Sequence, residues 1–194
     1  SSDLVPRRRL QAAAMSHADA DLHRWQRVPH LRGRVRVPGD KSISHRALLL
    51  AALSDGETRL EGLGTGEDVA ATRRAVQALG VRVTADGPDW RVRGQPWRSP
   101  TAPLDCGNSG TSLRLLTGLL ASQVGVAAVL DGDASLRRRP MARLIEPLQV
   151  MGARIEGHNA PLGVRGQRLQ GASHRLTVSS AQVKTALLLA GLRA

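Results

Sequence analysis

The chain of 194 residues has no phenylalanine and no tyrosine, and its aromatic side chains are Trp25, Trp90 and Trp97. An interior must therefore be aliphatic. With 41% hydrophobic residues there is enough Leu, Val, Ala and Ile to build one, which excludes wholesale disorder. A single cysteine, Cys106, excludes an internal disulfide framework and any all-cysteine metal cluster. With no base nearby in sequence, Cys106 reads as an inert thiol. The histidines show neither HxxxH nor HExxH spacing, so no metal site is expected. No apolar run reaches membrane-spanning length and no signal-peptide core is visible, so a soluble, cytoplasmic protein without a membrane partner is expected.

Lysine is also scarce. Lys41 and Lys184 are the only two, and the net charge of +12 comes almost entirely from arginine. Such a balance attracts anions, whether nucleic acid, lipid headgroups or a small phosphorylated molecule. A nucleic-acid binder would interleave aromatic stacking residues with a basic stripe. Here the aromatics are missing and the arginines scattered, so no nucleic-acid partner is expected. The opening SSDLVPRRRLQAAA contains LVPR, similar to a protease-cleavage linker, and Met15 reads as a natural start. Residues 1–14 are taken as a cloning-derived leader, 15–30 as a lead-in and 31–194 as the folded part.

Within that part the sequence repeats itself. The stretch ALGVRVTADGPDWRVRGQ, ending at Gln95, aligns without a gap on VMGARIEGHNAPLGVRGQ, ending at Gln167. Upstream, RALLLAAL from Arg46 matches RLLTGLLA from Arg114, and TALLLAGL from Thr185 begins a third copy. The copies run over about 36–105, 106–175 and 176–194. Each opens with a polar turn and an apolar helix, expected over 42–53, 111–121 and 180–192. A strand (58–63, 126–131), an amphipathic helix (68–79, 141–151) and two short strands (81–84 with 90–93, 153–156 with 162–165) complete the first two copies. Gly80 and Gly152 suit the ends of the amphipathic helices. The class is α+β (mixed α/β), built on a βαβαββ unit if a strand before each first helix is counted.

The turns before the three apolar helices are PGDKSISH, CGNSGTS and VSSAQVK. Unpaired N–H groups and the macrodipole make a helix start favourable for phosphate or carboxylate, and Ser, Thr and Gly let a ligand approach. Repeat symmetry would gather the three starts. The run GDASLRRRPM (132–141) reads as a loop whose three arginines could clamp an anion. His45, on the first turn, reads as structural or surface.

These segments resemble 5-enolpyruvylshikimate-3-phosphate synthase. VPGDKSISHRALLLAALSDGETRLEGL, LDCGNSGTSLRLLTGLLA, DGDASLRRRPMARLIEPLQVMGA and SSAQVKTALLLAGL occur in that family's order and spacing, from about Leu31 to the last residue. The resemblance implies a two-domain enzyme made of βαβαββ units, of which this chain is the N-terminal part with its third unit cut short. It implies transfer of the enolpyruvyl group of phosphoenolpyruvate to the 5-hydroxyl of shikimate 3-phosphate, without metal or organic cofactor, and a parent enzyme sensitive to glyphosate.

By resemblance, Lys41, Ser42, Arg46, Ser180, Ala181 and Gln182 bind shikimate 3-phosphate. Lys41, Gly110, Arg139 and Gln182 bind phosphoenolpyruvate, with Asn108 shaping the turn at Gly110. Arg114 is expected to be structural. The proton-transfer carboxylates are expected beyond Ala194, so no catalytic residue is assigned within this chain and the isolated chain is expected to be inactive. The full-length relative is expected to be a monomer and the piece alone to be open to self-association. The related UDP-N-acetylglucosamine enolpyruvyl transferases carry lysine-asparagine where this chain has Lys41-Ser42.

Overall fold

Asp40, Ser109 and Ser180 each place a side-chain oxygen over the first turn of an apolar helix, accepting from the backbone N–H of Ile43, Ser112 and Val183 at 2.8, 3.1 and 3.3 Å. The three helices so capped are the spine of the fold. The computed structural model describes His30 and residues 32–194. The expected leader and almost all of the lead-in fall outside the described residues. The chain divides into residues 1–36 and 37–194. The first has no helix or strand among its described residues, and all that follows concerns the second.

The first copy consists of α1 (Lys41–Leu53), β1 (Gly56–Leu60), α2 (Glu67–Ala78), β2 (Arg82–Asp86) and β3 (Asp89–Gly94). The second has β4 (Leu104–Asp105), α3 (Gly110–Ala121), β5 (Ala127–Asp131), a short α4 (Ala134–Arg137), α5 (Ala142–Val150), β6 (Arg154–Glu156) and β7 (Leu162–Arg165). The third contributes α6 (Ala181–Gly191). The sheets are β1-β3-β2 and β4-β5-β7-β6, antiparallel except for the parallel pair β4–β5. The fold is α+β with a repeated unit. The second copy shows the full βαβαββ order, whereas no strand precedes α1 among the described residues.

Both copies are closed by the same backbone devices. Gly80 and Gly152 leave their helices at φ +100° and +94°, a region glycine enters without Cβ strain. The next residue folds back in each case, with Val81 N–H donating to Val76 O at 3.1 Å and Ala153 N–H to Leu148 O at 2.9 Å. A side chain at Gly94 would overlap the carbonyl oxygen of Ser54, and one at Gly166 that of Gln123. Each glycine therefore lets the last strand of its copy reach the end of that copy's apolar helix. Trp97 and Leu169 then fill equivalent buried positions.

The core is aliphatic, as the composition requires. Every residue of α3 except Arg114 is buried, and α2 bridges α1 to α3 while α5 bridges α3 to α6. At Gly118 a side chain would strike the Ala186 carbonyl, so α3 and α6 meet almost backbone to backbone.

Two expectations need correction. The first strand, expected over 58–63, runs over Gly56–Leu60, in register from Gly56↔Gly94 to Leu60↔Trp90. The chain leaves the sheet after Leu60, and Gly62 comes so close to Gly39 that a side chain on Gly39 would strike the Gly62 carbonyl. The run 132–141 is not simply a loop: Asp133 caps α4 by accepting from Leu136 N–H at 2.7 Å.

Candidate anion-binding site

The helix starts of the three copies converge, and named side chains join each pair. From α1, the Arg46 guanidinium donates to the Ser42 carbonyl at 2.8 Å and to Thr185 Oγ1 on α6 at 2.7 Å. From α6, Gln182 donates to Thr111 Oγ1 at 2.9 Å and accepts from Arg114 Nη1 at 2.8 Å, both on α3. Between α1 and α3 the link runs through α2. Lys41 Nζ pairs with Asp68 Oδ2 at 3.0 Å, and the Asp68 carbonyl accepts from Ser112 Oγ at 3.2 Å.

The turn before α3 is built for close approach. Gly107 has φ +54° and its N–H donates to Asp105 Oδ1 at 2.7 Å. Asn108 is held from both sides, donating to Asp133 Oδ2 at 2.7 Å and accepting from Arg139 Nη2. Gly110 then sits between two guanidinium groups. A Cβ there would lie 2.6 Å from Arg114 Nη1 and 2.8 Å from Arg139 Nη1. No other residue type leaves that space open.

Electrostatically, Arg114 is the unusual member. It is half-buried, and desolvation followed by the neighbouring Arg139 charge pushes its guanidinium below the ordinary value. It remains cationic at neutral pH. Two like charges in a partly dry pocket without a carboxylate between them favour an incoming anion. Lys41 keeps 59% of its side chain exposed beside Asp68, so the ammonium can still turn to a ligand. His45 and Cys106 lie beneath the surface. Burial pushes the His45 imidazole down to about 4, with the Asp68 charge opposing and Lys41 and Arg46 assisting. Burial and then Asp105 and Asp131 push the Cys106 thiol up to about 12, which leaves it inert.

Of the residues named from the sequence, Lys41, Ser42, Arg46, Gly110, Ser180, Ala181 and Gln182 all lie on or at the three helix starts, and Arg139 reaches them through Asn108. The three-arginine clamp does not form. Arg137 turns to Asp131, donating at 2.9 and 2.6 Å and holding that carboxyl below its usual range. Arg114, expected to be structural, joins α3 to α6 by donating to the Gly110 carbonyl and to Gln182 Oε1. Asp68 was missed altogether. Its only trace in the sequence is an acidic residue on the first turn of a helix, where it complements the macrodipole whatever else it does. Among the described residues no three His, Cys, Asp or Glu side chains gather closely enough to hold a metal ion, and no helix is long and apolar enough to cross a membrane.

Known proteins resemble this chain in sequence and fold. A sequence model of the EPSP synthase family (3-phosphoshikimate 1-carboxyvinyltransferase) matches residues 26–194. A 3-phosphoshikimate 1-carboxyvinyltransferase of Thermus thermophilus is 57% identical over 168 residues, covering 84% of this chain and 39% of that protein. The enzyme of the same name from an Anaeromyxobacter species is 59% identical over 167 residues, with coverage of 84% and 39%. Among solved structures, EPSP synthase from Acinetobacter baumannii superposes with a TM-score of 0.79 at 42% identity, over 84% of this chain and 38% of that one. The chain thus spans about two-fifths of the length of these relatives. Over the part it spans, it belongs to the EPSP synthase family.

Proposed function

We propose that these residues bind shikimate 3-phosphate and phosphoenolpyruvate for transfer of the enolpyruvyl group to the 5-hydroxyl of shikimate 3-phosphate, with release of phosphate. One observation carries the reading: side chains link the three helix starts, with Arg114 and Arg139 flanking Gly110, Arg114 bonded to Gln182, Arg46 bonded to Thr185 and Lys41 held by Asp68. Both substrates are multiply anionic, and fixed donors at helix starts hold phosphate and carboxylate without reorganising. Arg46, Ser42 and the Ser180–Gln182 turn form the shikimate 3-phosphate side. Gly110 and Arg139 form the phosphoenolpyruvate side, and Lys41 and Gln182 reach both. Holding two reactants in register lowers the entropy cost of joining them. This chain's share of the reaction is binding and orientation, in a cytoplasmic enzyme that needs no metal.

Calorimetric titration with shikimate 3-phosphate tests the reading. Saturable one-to-one binding is expected, weakened at least tenfold in Lys41→Ala and in Arg46→Ala, since a charge-assisted hydrogen bond contributes about 1.5–3 kcal/mol. No saturable binding to the folded wild-type chain would overturn it.

A further inference from the structure

Beneath the helix starts runs a chain of buried hydrogen bonds that the substrate reading does not use. His45 Nδ1 lies 2.7 Å from Thr72 Oγ1, Thr72 Oγ1 lies 2.7 Å from Ser112 Oγ, and Ser112 Oγ lies 2.7 Å from Ser109 Oγ. All four residues are inaccessible to solvent. The chain crosses three helices, starting on α1, passing through α2 and ending on α3. Its far end touches two groups that shape the anion site. Ser109 is the N-cap directly before Gly110, and the Asp68 carbonyl, which also accepts from Ser112 Oγ, belongs to the residue that holds Lys41.

Hydrogen-bond satisfaction favours one direction for the protons in this chain. His45 Nε2 is buried with no hydrogen-bond partner. Were the proton on Nε2, a buried N–H would be orphaned, which native structures almost never tolerate. With the proton on Nδ1, the imidazole donates to Thr72, Thr72 donates to Ser112, and Ser112 donates to Ser109 Oγ or the Asp68 carbonyl. Each hydroxyl then gives one proton and accepts one, and only the weaker demand of a bare nitrogen lone pair stays unmet. Burial keeps the ring in its neutral form, which carries a single proton.

We propose that His45 is a positioning residue: as the proton-donating end of the His45–Thr72–Ser112 chain, it sets the Gly110 turn in register with the Lys41–Asp68 pair. The proposal rests on the reading of those helix starts as the substrate site. Without the imidazole donor the two hydroxyls can reverse, the Asp68 carbonyl and Ser109 are no longer held together, and two halves of one site lose their fixed spacing. Asparagine can place an amide N–H near the position of Nδ1 and should substitute for histidine. Leucine cannot.

Two measurements on the 194-residue chain decide the matter. Long-range nitrogen-15 spectra of the imidazole at pH 7 are expected to show a neutral ring protonated on Nδ1. A ring protonated on Nε2 would overturn the proposal while leaving the substrate reading intact. Titration with shikimate 3-phosphate is expected to weaken about tenfold in His45→Leu and in Thr72→Val, the latter keeping the buried shape, and to stay within about threefold of wild type in His45→Asn. Wild-type affinity in folded His45→Leu or Thr72→Val would overturn the proposal. So would His45→Asn as weak as His45→Leu. A wild-type chain that takes no shikimate 3-phosphate overturns the substrate reading and, with it, the functional half of this one.

Discussion

The first and second copies of the repeat share their folding devices and differ in their binding devices. Gly80 matches Gly152 in ending a helix, Gly94 matches Gly166 in approaching a carbonyl, and Trp97 matches Leu169 in filling the interior. At the helix starts the likeness is partial: Arg46 and Arg114 match, each donating to the carbonyl four residues back and to a side chain of α6. The first copy carries its own cation on the first turn, Lys41, steadied by a carboxylate from α2. The second has glycine on its first turn instead, and Arg139 reaches that turn from beyond α4. The copies keep what closes each unit and differ at the first turn of the apolar helix, which projects a charge in one and leaves space in the other.

That contrast can be broken at either level. The largest effect is expected from Gly94→Ala or Gly166→Ala. Each would drive a methyl into a backbone carbonyl that cannot move without its helix, costing about 3 kcal/mol in urea denaturation, and similarly in the two copies. A mild cost at one and a severe one at the other would show that the closures are not equivalent. Next come the ligand-facing ends. Gly110→Ala meets only the tips of Arg114 and Arg139, so stability should fall by less than about 1 kcal/mol while phosphoenolpyruvate affinity drops about tenfold. Equal losses of stability and affinity would mean that Gly110 serves the fold.

Acid should act on the first copy through His45. Its folded value of about 4 lies below its ordinary 6.5, so the unfolded chain binds the proton first. Its contribution is complete above about pH 6.5, is lost as pH falls towards 4, and amounts to up to about 3 kcal/mol. Acid denaturation of His45→Asn, which has no titrating ring, should lack this component; an unchanged profile would contradict it. The smallest effect is expected at Arg137, whose bond to Asp131 is exposed. Arg137→Gln should leave substrate affinity within about twofold, whereas Arg139→Gln should reduce phosphoenolpyruvate affinity about tenfold.

Much of this was legible in the sequence because it is local. A cap, a C-terminal glycine and an apolar stripe act over a few residues, and their recurrence in two copies exposed the unit. The three capped helix starts could be singled out for the same reason, with Lys41 and Arg46 as fixed charges on the first of them, whereas Ser42, Gly110 and Gln182 were named by resemblance to the family. What escaped depends on distance in the chain. Asp68 meets Lys41, and Thr72 meets both His45 and Ser112, only because α2 crosses two helix starts. Three successive arginines looked alike until α4 turned Arg137 towards Asp131 and Arg139 towards Asn108. The strand β1 was set too late because Gly56 is a poor strand former, yet its pairing opposite Gly94 decides the register.

The central claim, that three helix starts form one anion site, is tested most directly by following backbone amides of the nitrogen-15-labelled chain as shikimate 3-phosphate is added. The amides of Ser42, Thr111 and Gln182 should shift together along one saturation curve with a single dissociation constant. Shifts confined to one helix start, or three unrelated curves, would contradict the account.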